Sequence, residues 1–327
     1  MSTQHKAVGI DLGGTYIKFG LVKKDGTILK RGQIETHTEK GRPEILRRME
    51  EAVNESLSGV NTSEVCGIGI GTPGLVDSKG AVFLAPNLPE WNDLPLAKIF
   101  HEKFNLPVKV ENDVNTITWG EYLFGAGKGF RTIVCITLGT GLGGGVVVDG
   151  KLLRGGKYSA AELGHITINS RGPRCGCGNK GCVEAYVGAG RIVKRTVKAL
   201  KNSTCKAKAL PYNGAKSIIP ELVNGNLEKI TPKIVSMAYQ KGDELAGRIW
   251  KEVGSDIGVM LADLVNVFNP EAIIIGGGVA QAGKPLFDAI EETIKIRAFP
   301  ILSKGLKILP ASLGSESGIL AAAALVF

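Results

Sequence analysis

The chemistry that this sequence most plainly offers is metal binding, in the stretch CGCGNKGC from Cys175 to Cys182. The stretch holds three cysteines within eight residues: Cys175, Cys177 and Cys182. The glycines between them let the backbone wrap closely around a bound ion. A structural zinc site takes about four sulfur and nitrogen ligands in a tetrahedron, and His165 is the nearest histidine in the sequence. These residues favour a closed zinc site. A disulfide with one spare thiol, or three reduced thiols, remain the alternatives.

Three glycine-rich loops follow apolar runs and could hold phosphate groups. They are DLGGT with Asp11, Gly13, Gly14 and Thr15, GTGLGGG with Thr140 and Gly141, and GGG with Gly276 and Gly277. Backbone N–H groups of such loops can approach an anion, Thr15 adds a hydroxyl donor, and the Asp11 carboxylate could hold a magnesium ion. None of the loops is a Walker motif or a dinucleotide fingerprint. Together they favour a nucleotide site over three unrelated tight turns.

Asp113 lies in VENDVNTITWGE, where a strand-like run meets a helix-like one. Aspartate in this place is a favoured helix N-cap, because its side chain accepts a backbone N–H of the first turn. A catalytic aspartate fits equally well, since a helix N-terminus favours the ionised form. An ionised carboxylate is also the usual base in phosphoryl transfer to an alcohol. Spacing alone does not separate these two interpretations.

Buried strands must position these residues, and runs of Val and Ile that end in glycine predict them. The runs cover residues 7–14, 66–74, 133–145 and 272–278. Amphipathic stretches predict helices at 43–57, 96–104, 115–124, 184–201 and 243–268. The alternation of strands and helices predicts an α/β architecture.

An internal repeat relates the two halves of the chain. The segment IDLGGTYIKFGLVKKDGTILKRG at 10–32 resembles ITLGTGLGGGVVVDGKLLRGG at 136–156. In each copy a strand runs into a Leu-Gly turn, a second strand follows, and an Asp-Gly pair predicts a tight hairpin turn. The repeat therefore predicts two similar halves with a ligand cleft between them.

Composition and charge limit the class of the protein and its partners. The 327 residues suffice for two domains, and 43% hydrophobic with 22% charged residues is the balance of a globular protein. The net charge of +9 is scattered, which favours a basic surface that attracts an anionic substrate over nucleic-acid binding. No apolar run predicts a membrane span and the first six residues leave no room for a signal peptide, so we expect a cytoplasmic protein.

Taken together, the motifs resemble those of the ROK family of bacterial sugar kinases and repressors, and within it the ATP-dependent glucokinases. The resemblance covers nearly the whole chain, through GIDLGGTYIKFGLV, GIGTPG, APNLPEW, ENDVNTITWGE, LGTGLGGGVVVDGKLL, AELGH, CGCGNKGCVEAYVG and FNPEAIIIGGGV. It implies an actin-like (ribonuclease H-like) fold of two α/β lobes with internal duplication, which agrees with the repeat. It also implies phosphorylation of a hexose by ATP. Glucose is the first candidate, and N-acetylmannosamine, mannose, fructose and allose are the others.

The resemblance further implies roles for individual residues. Asp113 would be the general base that activates the sugar 6-hydroxyl, and Asp11 would lie near the catalytic Mg²⁺. The residues implied in sugar binding are Asn87, Asn112, Glu162, His165 and Glu184. Those implied at the ATP phosphates are Gly13, Gly14, Thr15, Thr140 and Gly141, with Gly276 and Gly277 near the adenosine. The Cys3His site of the family implies structural Zn²⁺ held by His165, Cys175, Cys177 and Cys182.

The expected domains are a first lobe of residues 1–114, completed by a C-terminal helix at about 315–327, and a second lobe of 115–314 with the zinc site. The family resemblance implies a homodimer or homotetramer. A sugar-responsive transcription regulator is the competing function. It is disfavoured because only six residues precede Ala7, where such proteins carry a DNA-binding segment.

The remaining cysteines, Cys66, Cys135 and Cys205, are interpreted as ordinary thiols. Residues 202–232 have three prolines and little pattern, and we expect loops and short helices there with no assigned chemistry.

Overall fold

The computed structural model describes residues 5–85, 88, 90–204 and 217–327. Asn87 and Cys205 lie outside these residues, so their expected roles stay predictions. The chain divides into two compact units: Met1–Ile133, Gly145–Ala161 and Ala311–Phe327 in the first, and Val134–Gly144 and Glu162–Pro310 in the second. The lobes expected at 1–114 and 115–314 stay a prediction as well.

The strands of the described residues are mostly short and buried. They are β1 (Lys6–Leu12), β2 (Tyr16–Lys23), β3 (Ile28–Glu35), β4 (Val65–Thr72), β5 (Leu75–Val76), β6 (Val82–Leu84), β7 (Val108–Asn112), β8 (Ile133–Leu138), β9 (Leu142–Val148), β10 (Lys151–Leu152), β11 (Ala272–Gly276) and β12 (Lys307–Pro310). All four predicted apolar runs contain strands, and the run at 133–145 divides into β8 and β9 at its glycine turn.

The helices of the same residues are α1 (Arg42–Leu57), α2 (Leu96–Phe104), α3 (Asp113–Phe124), α4 (Glu184–Val187), α5 (Ala189–Thr204), α6 (Ile219–Leu222), α7 (Pro232–Gln240), α8 (Glu244–Phe268), α9 (Lys284–Arg297), α10 (Pro300–Ser303) and α11 (Ser317–Ala324). Four of the five predicted helices are confirmed, with bounds within two residues for α1, α2, α3 and α8. Within the described ranges, no helix is both long and apolar enough to cross a membrane.

The single helix predicted at 184–201 is wrong. The chain leaves helical geometry at Gly188, whose φ and ψ of −58° and 148° separate α4 from α5. The backbone of Gly188 lies against the carbonyl of Thr140, where a Cβ atom would not fit. A close approach between two segments far apart in sequence therefore breaks the helix, and the helical period of the side chains does not reveal it.

The first sheet has the strand order β3-β2-β1-β4-β7. Strands β1, β2 and β3 form an antiparallel meander, whereas β1, β4 and β7 run parallel. The predicted turn between β2 and β3 is confirmed, because the carboxylate of Asp25 accepts the N–H of Thr27 at 2.9 Å and Gly26 has a φ of 88°. Since parallel strands end at the same edge, the last residues of β1, β4 and β7 lie together, as ligand-binding residues do in open α/β sheets.

The second sheet repeats this plan with the order β10-β9-β8-β11-β12. Its Asp149-Gly150 turn joins β9 to β10 with φ values of 49° and 77°. Positive φ at both central residues is the requirement of a type I′ hairpin turn, which the Asp-Gly pair predicted. The matching strand orders confirm the internal duplication.

Helix α11 covers the first sheet at very close range. Gly9 on β1 and Gly69 on β4 lie against the backbone carbonyls of Ile319 and Ala322, and a Cβ atom at either glycine would overlap them. Gly120 of α3 packs as closely against the Cα and Cβ atoms of Ala321 on α11. Because these glycines have no side chains, α11 packs directly on the sheet and on α3. The first turn of α11 therefore lies at the edge where the parallel strands end.

Candidate functional site

Two carboxylates, Asp11 and Asp113, lie at this edge of the first sheet. Asp11 on β1, Gly71 on β4 and Glu111 on β7 are paired side by side across the sheet. Asp113 is the first residue of α3 and follows Glu111 by two positions, so it lies close to the same end of the sheet. Gly318 of α11 lies directly against Asp11, and a Cβ atom there would overlap the Asp11 carboxylate. Strand pairing and helix packing therefore fix both carboxylates within one unit.

The residue that caps the N-terminus of α3 is Asn112 and not Asp113. The Asn112 side chain is the N-cap of α3, where its Oδ1 accepts the N–H groups of Val114 at 2.9 Å and Asn115 at 3.1 Å. Its Nδ2 donates to the carbonyl of Gly74 at 3.0 Å. Asp113 is the first helical residue, and its Oδ1 accepts the N–H of Val114 at 2.9 Å. The capping explanation for an aspartate at this position is thereby removed.

Burial raises the pKa of Asp113 from the ordinary 3.8 to about 6. The negative charge of Asp11 also raises this pKa, while the N–H of Val114 lowers it. Burial likewise raises the pKa of Asp11, against the opposing charge of Lys18. An aspartate whose pKa lies near neutrality can both accept and release a proton under working conditions, as a general base must.

Glu111 holds the strand–helix junction that carries Asp113. This carboxylate is only 4% exposed, and its Oε2 accepts from Nε of Arg154 at 2.7 Å. Its Oε1 accepts from the N–H of Asn112 at 3.1 Å and from Nδ2 of Asn115 at 3.2 Å. Sequence reasoning missed Glu111 and Arg154, because their separation of 43 positions in the sequence leaves no local signal of the ion pair.

The first glycine loop, between β1 and β2, is open to a ligand. The hydroxyl of Thr36 donates to the carbonyl of Gly13 at 2.7 Å, and the N–H of Thr36 donates to the carbonyl of Thr15 at 2.9 Å. Gly14 and Thr15 are exposed, and no atom lies within 4 Å of the place where a Cβ of Gly14 would be. The buried Thr36, which sequence reasoning missed, therefore braces an exposed loop of the kind that binds phosphate.

The predicted zinc ligands come together in the second unit. Ligand atoms of His165, Cys175, Cys177 and Cys182 all lie within 4.8 Å of one another. The sulfurs of Cys177 and Cys182 are 3.7 Å apart, as are Nδ1 of His165 and the sulfur of Cys175. Two sulfurs bound at about 2.3 Å to one tetrahedral zinc would be about 3.8 Å apart. The donor set and its spacing fit Zn²⁺, and the 3.7 Å separation is not that of a disulfide.

The three thiols of this cluster differ in burial and therefore in pKa. It raises the pKa of Cys175 and raises that of Cys182 to about 12, while the N–H of Asn179 lowers the pKa of the exposed Cys177. A buried thiol becomes a thiolate most readily beside a cation, so the two buried sulfurs also fit a metal-binding role.

Glu184 connects the cysteine cluster to the second glycine loop. Its Oε1 lies 3.7 Å from the sulfur of Cys175, and its Oε2 accepts the N–H of Leu142 at 3.2 Å. Gly141 packs against the same carboxylate, and a Cβ atom there would overlap Oε2. The predicted zinc ligands, a predicted sugar ligand and a predicted phosphate loop are thus in direct contact within one unit.

One short turn beside this cluster begins after Glu162 and ends at His165. Leu163–His165 form a single 3-10 turn, and the N–H of His165 donates to the carbonyl of Glu162 at 3.1 Å. Because Nδ1 of His165 faces the cysteines, Nε2 is the ring nitrogen left for another partner. The side chain of Glu162 is exposed.

The third glycine loop follows β11. Gly276 is buried at the end of the strand, whereas Gly277 is exposed with a φ of 89°. A Cβ atom at Gly277 would overlap the backbone of Leu138, so only glycine fits this turn. The structure therefore explains the glycine by packing, and its predicted place near an adenosine stays a prediction.

The predicted site residues fall into two groups, one in each unit. The first unit holds Asp11, Gly13, Gly14, Thr15, Asn112 and Asp113. The second unit holds Thr140, Gly141, Glu162, His165, Cys175, Cys177, Cys182, Glu184, Gly276 and Gly277.

Comparison with known proteins identifies the family. The sequence matches the ROK family over residues 7–327. The chain belongs to the ROK family. It is 37% identical to the glucokinase of Thermotoga maritima over 322 residues, which cover 98% of this chain and 97% of that protein.

A solved glucokinase structure and a repressor extend the comparison. A ROK family glucokinase from Streptomyces griseus, in complex with glucose and AMPPNP, is similar with a TM-score of 0.78, 37% identity and 98% coverage of both chains. A xylose repressor of Caldicellulosiruptor bescii is 31% identical over 98% of this chain and 77% of the repressor. The likeness to ROK sugar kinases confirms the predicted actin-like α/β fold.

Proposed function

We propose that this ROK sugar kinase transfers the γ-phosphoryl group of ATP to the 6-hydroxyl of a hexose, and that its preferred hexose is glucose. The glucokinase relatives at 37% identity and the glucose and AMPPNP complex of one of them support both substrates. The environment of Asp113 in this chain is the observation that carries the proposal.

Asp113 is the general base in this proposal. A pKa of about 6 leaves the carboxylate largely ionised at neutral pH and still basic enough to accept the proton of a sugar hydroxyl. Asn112 caps α3, so the carboxylate does not have to do so. The Glu111–Arg154 pair keeps the strand–helix junction in place. The deprotonated hydroxyl oxygen attacks the γ-phosphorus, and the bond to the β,γ-bridging oxygen breaks to release ADP.

The glycine loops and Asp11 are assigned to Mg-ATP. The exposed Gly14 and the Thr15 hydroxyl offer donors suited to phosphate oxygens. Gly13 is assigned to the same loop, although its own N–H donates to the carbonyl of Tyr16 at 3.0 Å. Thr140 and Gly141 are assigned the same role in the second unit. When bound, magnesium would neutralise charge on the transferring phosphoryl group, and we assign Asp11 to hold it or its water ligands.

The polar side chains that the family resemblance implies are assigned to the sugar. The hydroxyls of a hexose are both donors and acceptors, so carboxylates, amides and an imidazole suit them. Glu162 is exposed, His165 retains Nε2, and Nδ2 of Asn112 retains one N–H beyond its bond to Gly74. Glu184 is assigned to the sugar as well, and Asn87 stays a prediction outside the described residues.

Zinc is assigned a structural role. Three sulfurs and one imidazole nitrogen would hold the metal as a four-ligand site, which would leave no open position for substrate. Ligation through Nδ1 would fix the ring of His165, and the contact between Cys175 and Glu184 would fix a second sugar ligand. In this proposal the metal braces the sugar-binding wall and takes no part in phosphoryl transfer.

A sugar-responsive regulator is the second candidate, because a xylose repressor is 31% identical to this chain. An ADP-release assay with Mg-ATP separates the candidates when it includes glucose, mannose, fructose, allose and N-acetylmannosamine. Xylose is the control, since it lacks the 6-hydroxyl group. We expect sugar-dependent turnover that is fastest in kcat/KM with glucose. ADP release that no hexose raises above the sugar-free rate would contradict a kinase, and a better hexose would correct the substrate.

A further inference from the structure

A cleft of about 430 Å³ opens on the first unit, which is large enough for a small molecule. Among the residues that the structure describes, its lining includes none of those assigned to sugar or ATP. The side chains of its walls come from α3, from β10 and from the segment after β10: Trp119, Lys151, Leu152, Arg154 and Tyr158. The cleft is therefore a candidate for a second binding site.

One part of the cleft wall is aromatic and held in place. Tyr122 stacks on the indole of Trp119 with ring centroids 5.3 Å apart, and Nε1 of Trp119 donates to the carbonyl of Ala324 at 3.3 Å. Leu152 is buried and adds apolar surface, whereas Tyr158 is exposed. Aromatic walls of this kind take the flat or apolar face of a ligand ring.

The rest of the wall is basic. Residues 150–161 include no acidic side chain and three basic ones, Lys151, Arg154 and Lys157. The acid that precedes them, Asp149, is paired with Arg131 at 3.0 Å. The charge of this segment therefore favours an anionic ligand.

Two of these basic side chains line the cleft with unused donors. Nε of Arg154 donates to Glu111 at 2.7 Å, but its two terminal nitrogens have no hydrogen-bond partner within the described ranges. Lys151 is exposed, and it forms no ion pair with any residue that the structure describes. Both groups can therefore donate to a bound anion.

We propose that this cleft is a regulatory site for a phosphomonoester that carries a ring, such as a sugar phosphate or a nucleoside monophosphate. A phosphate group has three acceptor oxygens, so it can accept from the fork of Arg154 and from the ammonium of Lys151 together. The ring would pack on Trp119 and Tyr158. Cζ of Arg154 lies 5.9 Å from the ring centroid of Tyr158, so the cationic and aromatic parts of the wall are neighbours, as phosphate and ring are in such a ligand.

Arg154 connects the cleft to the proposed base. The guanidinium that lines the cleft also holds Glu111, whose Oε1 accepts the N–H of Asn112 at 3.1 Å. Asn112 caps α3, and Asp113 is the first residue of that helix. A bound phosphate would share the charge of Arg154 with Glu111 and weaken the hold on this junction. Occupation of the cleft should therefore lower kcat of the kinase.

Trp119 supplies a binding assay that needs no turnover, so its outcome is separate from that of the glucose assignment. Of the three tryptophans, Trp91 and Trp250 are fully buried and Trp119 is half-buried, so acrylamide should quench mainly Trp119. The substrate sites are first saturated with AMPPNP and the hexose of fastest turnover. Glucose 6-phosphate or AMP should then protect Trp119 from quenching, and the stronger of the two identifies the source of the ligand.

Adenosine and inorganic phosphate each lack one half of the proposed ligand. Each should protect Trp119 at least about 10-fold more weakly than the better phosphomonoester, because the stacking or the charged hydrogen bonds are lost. Absence of protection by both glucose 6-phosphate and AMP would overturn the site.

Variants of the basic segment locate the bound phosphate. Lys151→Ala should weaken binding about 10-fold or more, because a charged donor is lost. Lys157→Ala is the matched control, since it removes an exposed lysine of the same segment that does not line the cleft. Tyr158→Asn should weaken binding as well, and asparagine suits the φ of 60° at this position. Equal affinities in Lys151→Ala and Lys157→Ala would overturn the site.

ADP release at saturating substrates tests the regulatory role. The ligand should lower kcat about 2-fold or more in the wild type and in Lys157→Ala, whereas Lys151→Ala should need about 10-fold more ligand for the same effect. Inhibition of equal potency in Lys151→Ala would assign the effect to the substrate sites and overturn the proposal. Protection of Trp119 without any fall in kcat would overturn regulation through Arg154.

Discussion

Replacing Asp113 with asparagine should make the folded protein more stable at neutral pH while it removes the proposed base. Asparagine keeps the shape of the side chain and the oxygen that accepts the N–H of Val114. The pKa of Asp113 is about 6 in the folded protein against the ordinary 3.8, so ionising it at neutral pH costs the folded state ~3 kcal/mol. The asparagine side chain carries no charge at any of these pH values, so that cost disappears.

The sign of the pH dependence follows from the raised pKa. Below about pH 4 Asp113 is protonated in both the folded and the unfolded chain, so the variant should gain nothing. Between about pH 4 and pH 6 the unfolded chain ionises first, and the advantage of the variant should grow. Above about pH 6 it should level off near 3 kcal/mol.

Equilibrium urea unfolding at several pH values measures this difference. Subtracting wild type from variant cancels the other carboxylates, which titrate in both proteins. Asp93→Asn is the matched control, because Asp93 is exposed and its φ of 53° suits asparagine equally well. A variant that is less stable than wild type at pH 7.5, or a difference that does not change with pH, would refute the reasoning about burial.

Three further predictions concern other parts of the two units. Glu121→Gln should destabilise the protein by about 3 kcal/mol in urea unfolding, because the buried carboxylate accepts backbone N–H groups on both oxygens, from Ser312 and Leu313 on Oε1 and from Ala126 on Oε2. Whichever way the amide is turned, its NH₂ group would face an N–H donor, and unchanged stability would contradict this. In Gly141→Ala the added Cβ atom should displace the Glu184 carboxylate from the N–H of Leu142 and raise the KM for glucose about 10-fold or more. A KM equal to that of the wild type would contradict the assignment of Glu184 to the sugar site. Zinc removal should weaken glucose binding, measured calorimetrically, about 10-fold or more and lower the unfolding temperature. Unchanged glucose affinity in protein verified as zinc-free would contradict the bracing role.

Local patterns predicted the parts of the fold that local physics controls. The Asp-Gly turns, the helices α1, α2, α3 and α8, and the duplicated strand order follow from turn chemistry, periodicity and an internal repeat. The cysteine cluster was also predictable, since its ligands are close in sequence and have few alternative uses.

Features set by long-range packing were not predictable. The break at Gly188 comes from the carbonyl of Thr140, and the Glu111–Arg154 ion pair joins residues that no sequence period relates. The choice between Asn112 and Asp113 as the helix cap also needed three-dimensional structure, because both residue types are good caps and only the backbone decides which one is positioned to act.

The most direct test of the central claim is the pH profile of kcat/KM for glucose in wild type and Asp113→Asn. We expect wild-type activity to fall as pH drops below about 6, because the base becomes protonated. The variant should lose about 10²- to 10⁴-fold in kcat at pH 7.5 while its glucose KM changes little. A variant that keeps wild-type kcat would contradict the assignment of Asp113 as the general base.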